Sequence, residues 1–238
     1  MIRLRTNSIT SLFRLLHLRA RNEISAPHLD ITDVCPDPTA IRAYYTATMA
    51  LARGSRTRPG LPFELIIYIC RLADFEILQI KRSPEGIREV RAWGPKVESR
   101  LWFQTEPFTK QMVSRIKSIQ LVTMSHHQGF VDDRQAGSWS WFERRPNGDE
   151  VSQLSHTHPV EEETAEQQND FAEYRGRLFG PGDQMWRDIE EGDVLQVMMK
   201  AQFPEWINVA CDGVLRVHMW WEPSSEMLEL IYCDTRPQ

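Results

Sequence analysis

The histidines of this sequence are the side chains best suited to metal binding or acid–base chemistry. His156 and His158 are separated by one residue, and in an extended strand this spacing places both imidazoles on the same face. Glu162 follows four residues later, so the three side chains partly fit a strand-borne metal site. Pro159 interrupts such a strand, however, and a metal site needs three or four preorganised ligands. We therefore predict two solvated loop histidines, no metal ion and no other cofactor.

Nucleophilic catalysis finds little support in the sequence. It contains no Gly-x-Ser-x-Gly turn and no glycine-rich phosphate loop. Ser125 lies next to His126, but adjacent side chains of a strand point to opposite faces and do not form a catalytic pair. Because no catalytic constellation is complete, the sequence favours a binding protein over an enzyme.

A set of aromatic and polar residues is better suited to binding. Tryptophans and a His-His-Gln turn fall where the predicted strands end, and loops on a rigid β scaffold are common binding sites. Indole rings offer a flat apolar surface, while histidine and glutamine fix the orientation of a ligand by hydrogen bonds. The candidate ligand-binding residues are His126, His127, Gln128, Phe130, Trp139, Trp141 and Trp206.

The composition is that of a globular protein, with 41% hydrophobic and 26% charged residues. A net charge of -5 predicts no nucleic-acid ligand, and no apolar stretch is long enough to span a membrane. The four cysteines form no close pair, which indicates reduced thiols in the cytoplasm or nucleus, with Cys70 and Cys211 in the core. The N-terminal segment differs from the rest of the chain. Its first 22 residues are rich in arginine and contain no acid, a pattern typical of a mitochondrial import signal or of a basic amphipathic helix.

Hydrophobic periodicity divides the chain into a helical and a strand-rich part. It predicts helices over 39–53, 61–75 and 85–93, and from residue 115 to 233 the period is that of strands. No strand–helix alternation indicates a parallel sheet. We therefore predict an α+β fold dominated by an antiparallel β-sandwich (jelly-roll-like) with a helical N-terminal extension. The expected parts are a basic segment, linker and helix over 1–60, a helical segment over 61–114, and a β-sandwich binding domain over 115–238.

The segment Leu61-Pro62-Phe63-Glu64-Leu65, with the apolar residues that follow it to Leu72, resembles the opening helix of an F-box. This resemblance implies a docking helix for a Skp-type adaptor of a ubiquitin ligase. The partner-binding residues that it implies are Leu61, Pro62, Leu65, Ile66 and Ile69.

A longer stretch, from Arg115 to Trp221, resembles a β-domain of uncharacterised fungal proteins. It includes Ser125-His126-His127-Gln128-Gly129-Phe130 and Phe203-Pro204-Glu205-Trp206-Ile207-Asn208. The order of its parts is similar to that of galactose-binding-like sandwiches and F-box-associated β domains, which implies a glycan or protein ligand. Three functions stay open: an F-box-like substrate adaptor, a stand-alone lectin-like protein, and a cupin-like metal-dependent enzyme that uses His156, His158 and Glu162.

Overall fold

The computed structural model describes residues 27–30, 37–127, 138–146, 153–158, 171–187, 189–224 and 226–227 of the chain. Two helices come first, α1 (Pro38–Arg53) and α2 (Phe63–Leu72). The Asp37 side chain accepts a hydrogen bond from the Thr39 amide and so caps α1. Pro62 precedes α2, where a missing N–H costs nothing. The helices predicted over 39–53 and 61–75 are confirmed, the second in a shorter form.

Nine strands lie within the described residues: β1 (Glu76–Arg82), β2 (Arg88–Arg91), β3 (Glu98–Gln104), β4 (Ile116–His127), β5 (Ser140–Pro146), β6 (Gln153–Thr157), β7 (Ala172–Arg175), β8 (Leu195–Ala201) and β9 (Ile207–Trp220). A short helix, α3 (Lys110–Arg115), precedes β4, and a 3-10 turn covers Gln184–Arg187. One sheet has the order β1-β9-β4-β7, with β2 also paired to β9, and the other has the order β3-β8-β5-β6. The pairs between these strands are antiparallel, which confirms an α+β chain built mainly on antiparallel sheets.

Two expectations about the N-terminal half are wrong. Residues 85–93 do not form a helix, because Arg88–Arg91 is strand β2 and pairs with β9. Strands also begin at Glu76, well before residue 115, so the segment 61–114 is not a helical unit. The cause is pairing with a distant part of the chain, which overrides the local sequence preference. A four-residue strand carries no clear periodicity of its own, and pairing with a long neighbour decides its conformation.

The two sheets face each other across one apolar core. Side chains from both sheets fill it, among them Trp102, Phe142, Leu195 and Leu215. A smaller cluster joins the helices to the end of β9, where Ile66 and Cys70 of α2 pack with Trp221. The thiols of Cys70 and Cys211 are free and buried, as predicted. No helix in the part of the chain that the structure describes is long and apolar enough to cross a membrane.

Candidate functional site

The core changes from apolar to polar along β4. Ile119 and Leu121 lie in the apolar core between the sheets. The next alternate positions are Thr123, Ser125 and His127, and all three are buried. Because alternate residues of a strand share a face, the inward side of β4 continues from aliphatic side chains into hydroxyls and an imidazole. Each of these polar groups needs a hydrogen-bond partner inside the fold.

His158 supplies partners for two buried hydroxyls. Its Nε2 lies 3.1 Å from the Oγ of Ser125 on β4, and its Nδ1 lies 2.9 Å from the Oγ of Ser140 on β5. All three side chains are almost completely buried. A neutral imidazole has one N–H donor and one acceptor nitrogen, so it can donate to one hydroxyl and accept from the other.

His156 occupies a second, similar position. Its Nε2 lies 3.1 Å from the Oγ1 of Thr123, and its Nδ1 lies 3.2 Å from the Oγ of Ser155. The Oγ1 of Thr123 in turn lies 2.9 Å from the Oγ of Ser125, which connects the two histidines. We call this set the buried His–Ser network: Ser140, His158, Ser125, Thr123, His156 and Ser155.

Both imidazoles of the network are held in the neutral form. Burial lowers the pKa of His156 to about 4, and the positive charge of Arg144 acts in the same direction. Burial also lowers the pKa of His158 well below its ordinary value, with a further contribution from the neighbouring His127. The ring of Phe142 stacks on His156, with the centroids 4.9 Å apart, and helps to exclude water. Neutral imidazoles fit a network in which hydroxyls surround each ring.

Most of this network is buried, although the His156 side chain is partly exposed. Ser125 and Ser140 have no exposed surface, so neither hydroxyl can reach a substrate in this arrangement. Hydroxyls occupy both ring nitrogens of His156 and His158, and the described residues contain no group of three His, Cys, Asp or Glu side chains that could hold a metal ion. Glu162 lies outside the described residues. The prediction of two solvated loop histidines is wrong, because both lie on β6 or directly after it and are packed inside the fold.

Part of the predicted ligand site comes together around the turn between β8 and β9. The ring of His127 lies 5.8 Å from that of His158 and 6.1 Å from that of Trp206, measured between centroids. Trp139 packs edge-on against Phe203 of the same turn, at 4.8 Å. We call His127, Trp139, Phe203 and Trp206 the aromatic rim. Three of its four members belong to the predicted ligand-binding set.

The other predicted ligand residues do not join this rim. His126 packs edge-on against Phe171, with the centroids 4.8 Å apart. Trp141 lies on the outer face of the four-stranded sheet, where its Nε1 donates a hydrogen bond of 2.6 Å to the carboxylate of Glu143. The physical reason is the alternation of strand side chains, since inward Phe142 follows directly. Two further residues fall outside the described residues: Gln128 and Phe130.

Arg144 lies on β5, close to the connection to β6, where a charged side chain is normally solvated. The structure instead buries its guanidinium completely. Its Cζ lies 3.6 Å from the centre of the Phe179 ring, and its Nη2 donates to the Arg177 carbonyl at 3.4 Å. Its Nε and Nη1 have no hydrogen-bond partner among the described residues. Burial lowers the pKa of Arg144 to about 9. The strand period of two, which puts Arg144 on the face of Phe142, is the sequence signal for this burial.

The partner-binding residues expected on α2 divide between its two faces. Ile66 is fully buried in the helical cluster, so the expectation that it contacts another protein is wrong. The others are exposed or half-buried: Leu61, Pro62, Leu65 and Ile69. Tyr68 and Leu72, which the motif did not single out, are exposed on the same side as Leu65. Residues three or four apart share a helix face, and this spacing is the signal that finds them.

No family model, curated protein or solved structure matches this chain. Its function is therefore inferred from its own surfaces and clusters. Within the part of the chain that the structure describes, two surfaces differ from an ordinary solvated exterior: the outer face of α2, and the connection between β2 and β3, where Trp93 is exposed.

Proposed function

We propose that the protein is a non-enzymatic adaptor that docks onto another protein through α2 and holds a ligand with its β-sheets. One observation carries the docking: α2 is apolar on two opposite faces, and only one of them is covered. An apolar face of a helix is normally covered by another part of the protein or by a partner. The uncovered face is therefore where a partner protein binds.

The two faces of α2 differ sharply in exposure. Ile66 and Cys70, four residues apart, have no exposed surface and pack against α1 and Trp221. On the opposite side, the exposed fractions are 50% for Leu65, 60% for Tyr68 and 69% for Leu72. We call these three residues the α2 face. Their spacing of three and four residues makes one continuous apolar stripe, the pattern by which helices fit grooves of other proteins.

Ion pairs fix α2 on the rest of the molecule. The Nη2 of Arg71 lies 2.7 Å from one carboxylate oxygen of Glu222, which follows β9. The other oxygen of Glu222 lies 2.9 Å from the Nε of Arg115 at the end of α3. A helix held in place loses little freedom when a partner binds, so more of the burial energy of its apolar stripe appears as affinity.

A Skp-type adaptor is the first partner to test. The Leu-Pro-x-Glu-Leu start of α2 is the part of the chain that resembles an F-box, and its last residue, Leu65, also belongs to the α2 face. The chain after α2 enters β1 and does not continue into further helices. The proposed contact is therefore limited to α2 and the residues just before it, Leu61 and Pro62.

Co-purification of the full chain with a Skp-type adaptor tests this proposal. Leu65→Asp and Leu72→Asp each place a charge in the stripe and should reduce the recovered complex about tenfold or more, because a desolvated charge opposes burial. Leu178→Asp is the matched control, since Leu178 is also an exposed leucine but lies far along the chain, in the segment after β7. It should leave the complex unchanged.

Two results would count against the docking proposal. One is that no adaptor is recovered under conditions that recover a known F-box protein. The other is a complex that tolerates Leu65→Asp and Leu72→Asp together. Circular dichroism of each variant shows whether the fold is intact, so that a loss of binding is not mistaken for unfolding.

We also propose that the two sheets form a jelly roll. The strand orders support this: with β2 set aside as an addition beside β1, each sheet has four strands, and consecutive strands mostly alternate between the sheets. Eight strands in two such sheets are typical of jelly rolls, which often hold ligands. This architecture agrees with the resemblance to galactose-binding-like sandwiches.

A lectin-like function of the β-sheets is the second candidate, and the convergence of His127 with Trp206 favours it. The half-buried indole of Trp206 gives a sugar ring a stacking surface, and the buried His127 ring packs behind it. A glycan-array screen of the full chain tests this. Binding that survives both His127→Ala and Trp206→Ala within about twofold, or roughly 0.4 kcal/mol, would place the ligand elsewhere.

A further inference from the structure

The connection between β2 and β3 carries an unusual concentration of exposed apolar side chains. Trp93 is 76% exposed, the largest fraction among the large apolar side chains of the described residues. Val97 in the same connection is also exposed, as are Ile87 just before β2 and Leu101 on β3. Single exposed apolar residues need no explanation, but a tryptophan this exposed, with a second exposed apolar side chain in the same connection, is typical of an interaction site.

Contacts from neighbouring segments hold this connection in place. The Ala92 amide donates a hydrogen bond of 2.9 Å to the Trp206 carbonyl. The side-chain amide of Gln202 donates to the Pro95 carbonyl at 3.0 Å. The guanidinium of Arg91 lies over the Trp93 ring, 5.4 Å from its centre. An exposed indole on a fixed backbone is preorganised, so a partner pays little ordering entropy when it binds.

The supporting turn between β8 and β9 is itself strained. Phe203 has φ of 67° and Glu205 has φ of 72°, in the left-handed region that favours glycine. Each such residue costs on the order of 1 kcal/mol or more, and strain of this kind is concentrated at functional sites. This turn supplies both the Gln202 and the Trp206 contacts to the Trp93 connection. The strained turn therefore supports the Trp93 connection as well as the aromatic rim.

The charges around Trp93 indicate the chemistry of its partner. Lys96 and Arg100 are exposed, and Arg91 lies on the indole. The carboxylate of Glu89 lies 3.2 Å from the Nε of Arg91 and offsets its charge, and Glu98 is an exposed acid of β3. Three cations against these two acids give residues 89–100 a small excess of positive charge, in contrast with the net charge of -5 of the whole chain. Tryptophan and arginine are the side chains most enriched in interface hot spots.

We propose that Arg91, Trp93, Lys96, Val97 and Arg100, here called the Trp93 surface, bind a short acidic segment of a client protein. An aromatic or aliphatic side chain of that segment packs on the indole, and its carboxylates lie beside the exposed cations Lys96 and Arg100. The role as client-binding surface rests on the proposed adaptor function, but the binding itself does not. Peptide recognition by an apolar centre with a complementary charged edge requires no change in the fold.

Selection from a phage-displayed random dodecapeptide library on the immobilised full chain tests this proposal. The enriched peptides should be acidic and contain an aromatic or large aliphatic residue. Their affinity, measured by fluorescence polarisation, should fall about tenfold or more in Trp93→Ala and severalfold in Lys96→Glu. Glu98→Lys should strengthen binding, because it removes the exposed acid. Leu178→Ala, the matched exposed control, should stay within about twofold.

Several results would overturn the proposal. They are an absence of enrichment, enriched peptides that are neutral or basic, and binding that Trp93→Ala leaves unchanged. A single-stranded oligonucleotide that binds through Trp93 more tightly than the peptides would assign the surface to nucleic acid instead. Because Trp93 is so exposed, its replacement should not unfold the chain, and an unchanged melting temperature verifies this. Leu65→Asp, which removes adaptor docking, must leave peptide binding intact. A failure of the peptide proposal can therefore be distinguished from a failure of the docking proposal.

Discussion

Replacing Arg144 by methionine should stabilise the fold. The guanidinium is completely buried, and two of its three nitrogens have no hydrogen-bond partner among the described residues. Taking a charge out of water costs several kcal/mol unless partners compensate for it. Methionine keeps much of the side-chain length and packs favourably on aromatic rings, so it can retain the contact with Phe179 without the charge.

The size of the gain can be worked from the contacts of Arg144. Burial lowers its pKa to about 9, a loss of proton affinity of more than a thousandfold, and at about 1.4 kcal/mol for each factor of ten this costs roughly 5 kcal/mol. The contact with the Phe179 ring at 3.6 Å returns about 2 kcal/mol. The long hydrogen bond to the Arg177 carbonyl returns about 0.5 kcal/mol. Arg144→Met should therefore raise the free energy of unfolding by about 1–3 kcal/mol.

Urea unfolding at neutral pH, followed by tryptophan fluorescence, measures this change. The midpoint of Arg144→Met should move to higher urea with an unchanged slope. Arg177→Met is the matched control, because Arg177 lies over the same ring but is 62% exposed and paired with Asp183. Its effect should stay within about 0.5 kcal/mol. The reasoning is refuted if Arg144→Met is less stable than the wild type by more than about 1 kcal/mol, since the guanidinium would then be better solvated than its contacts indicate.

Two further predictions concern the core. His156 is neutral in both states above pH 6.5, but as the pH falls from about 6.5 towards 4 the unfolded chain binds the proton first, so the free energy of unfolding should drop by up to roughly 3 kcal/mol. Urea midpoints at several pH values should show this slope, and His156→Asn should reduce it while leaving the part that His158 contributes. Gly213→Ala would place a Cβ 2.4 Å from the Trp102 ring and should lower stability by about 1–3 kcal/mol. Gly182→Ala, whose Cβ meets no described atom within 4 Å, is the control and should be nearly neutral in the same denaturation assay.

The strands that the sequence predicts well are the central ones. β4 and β9 are long, and β8, though short, alternates apolar with polar residues as they do, so their period of two is visible without any knowledge of their partners. β1 and β3 lie at the edges of their sheets and contain charged residues, such as Lys81 and Glu98. Charges at an edge protect it from pairing with other chains, but they also remove the periodic signal. Edge strands are therefore the part of this fold that a single sequence conceals.

The candidate site shows the same limit. Grouping of His127 with Trp206 could be predicted, because strand ends gather at the same edge of a sheet. The contacts of His158 with Ser125 and Ser140 could not, because they depend on how β4, β5 and β6 are aligned across the two sheets. The pairing of β5 with β6 even shifts register after Phe142. The register between strands far apart in the sequence follows from the packing of the whole core, and it cannot be read from the hydrophobic pattern of any one strand.

The two proposed surfaces lie near opposite ends of β9, an arrangement that suits an adaptor with two partners. Trp206, directly before β9, holds the Ala92 backbone beside Trp93, and Trp221, directly after β9, packs against α2. Fourteen residues at about 3.3 Å each make this strand roughly 45 Å long, so two partners bound at its ends need not touch. Sites this far apart without shared contacts should act independently. Trp93→Ala should therefore leave docking through α2 unchanged, and the double variant Leu65→Asp/Trp93→Ala should lose each interaction by the same factor as the single variants. A loss of either interaction greater than that in the corresponding single variant would show that β9 couples the surfaces rather than merely separating them.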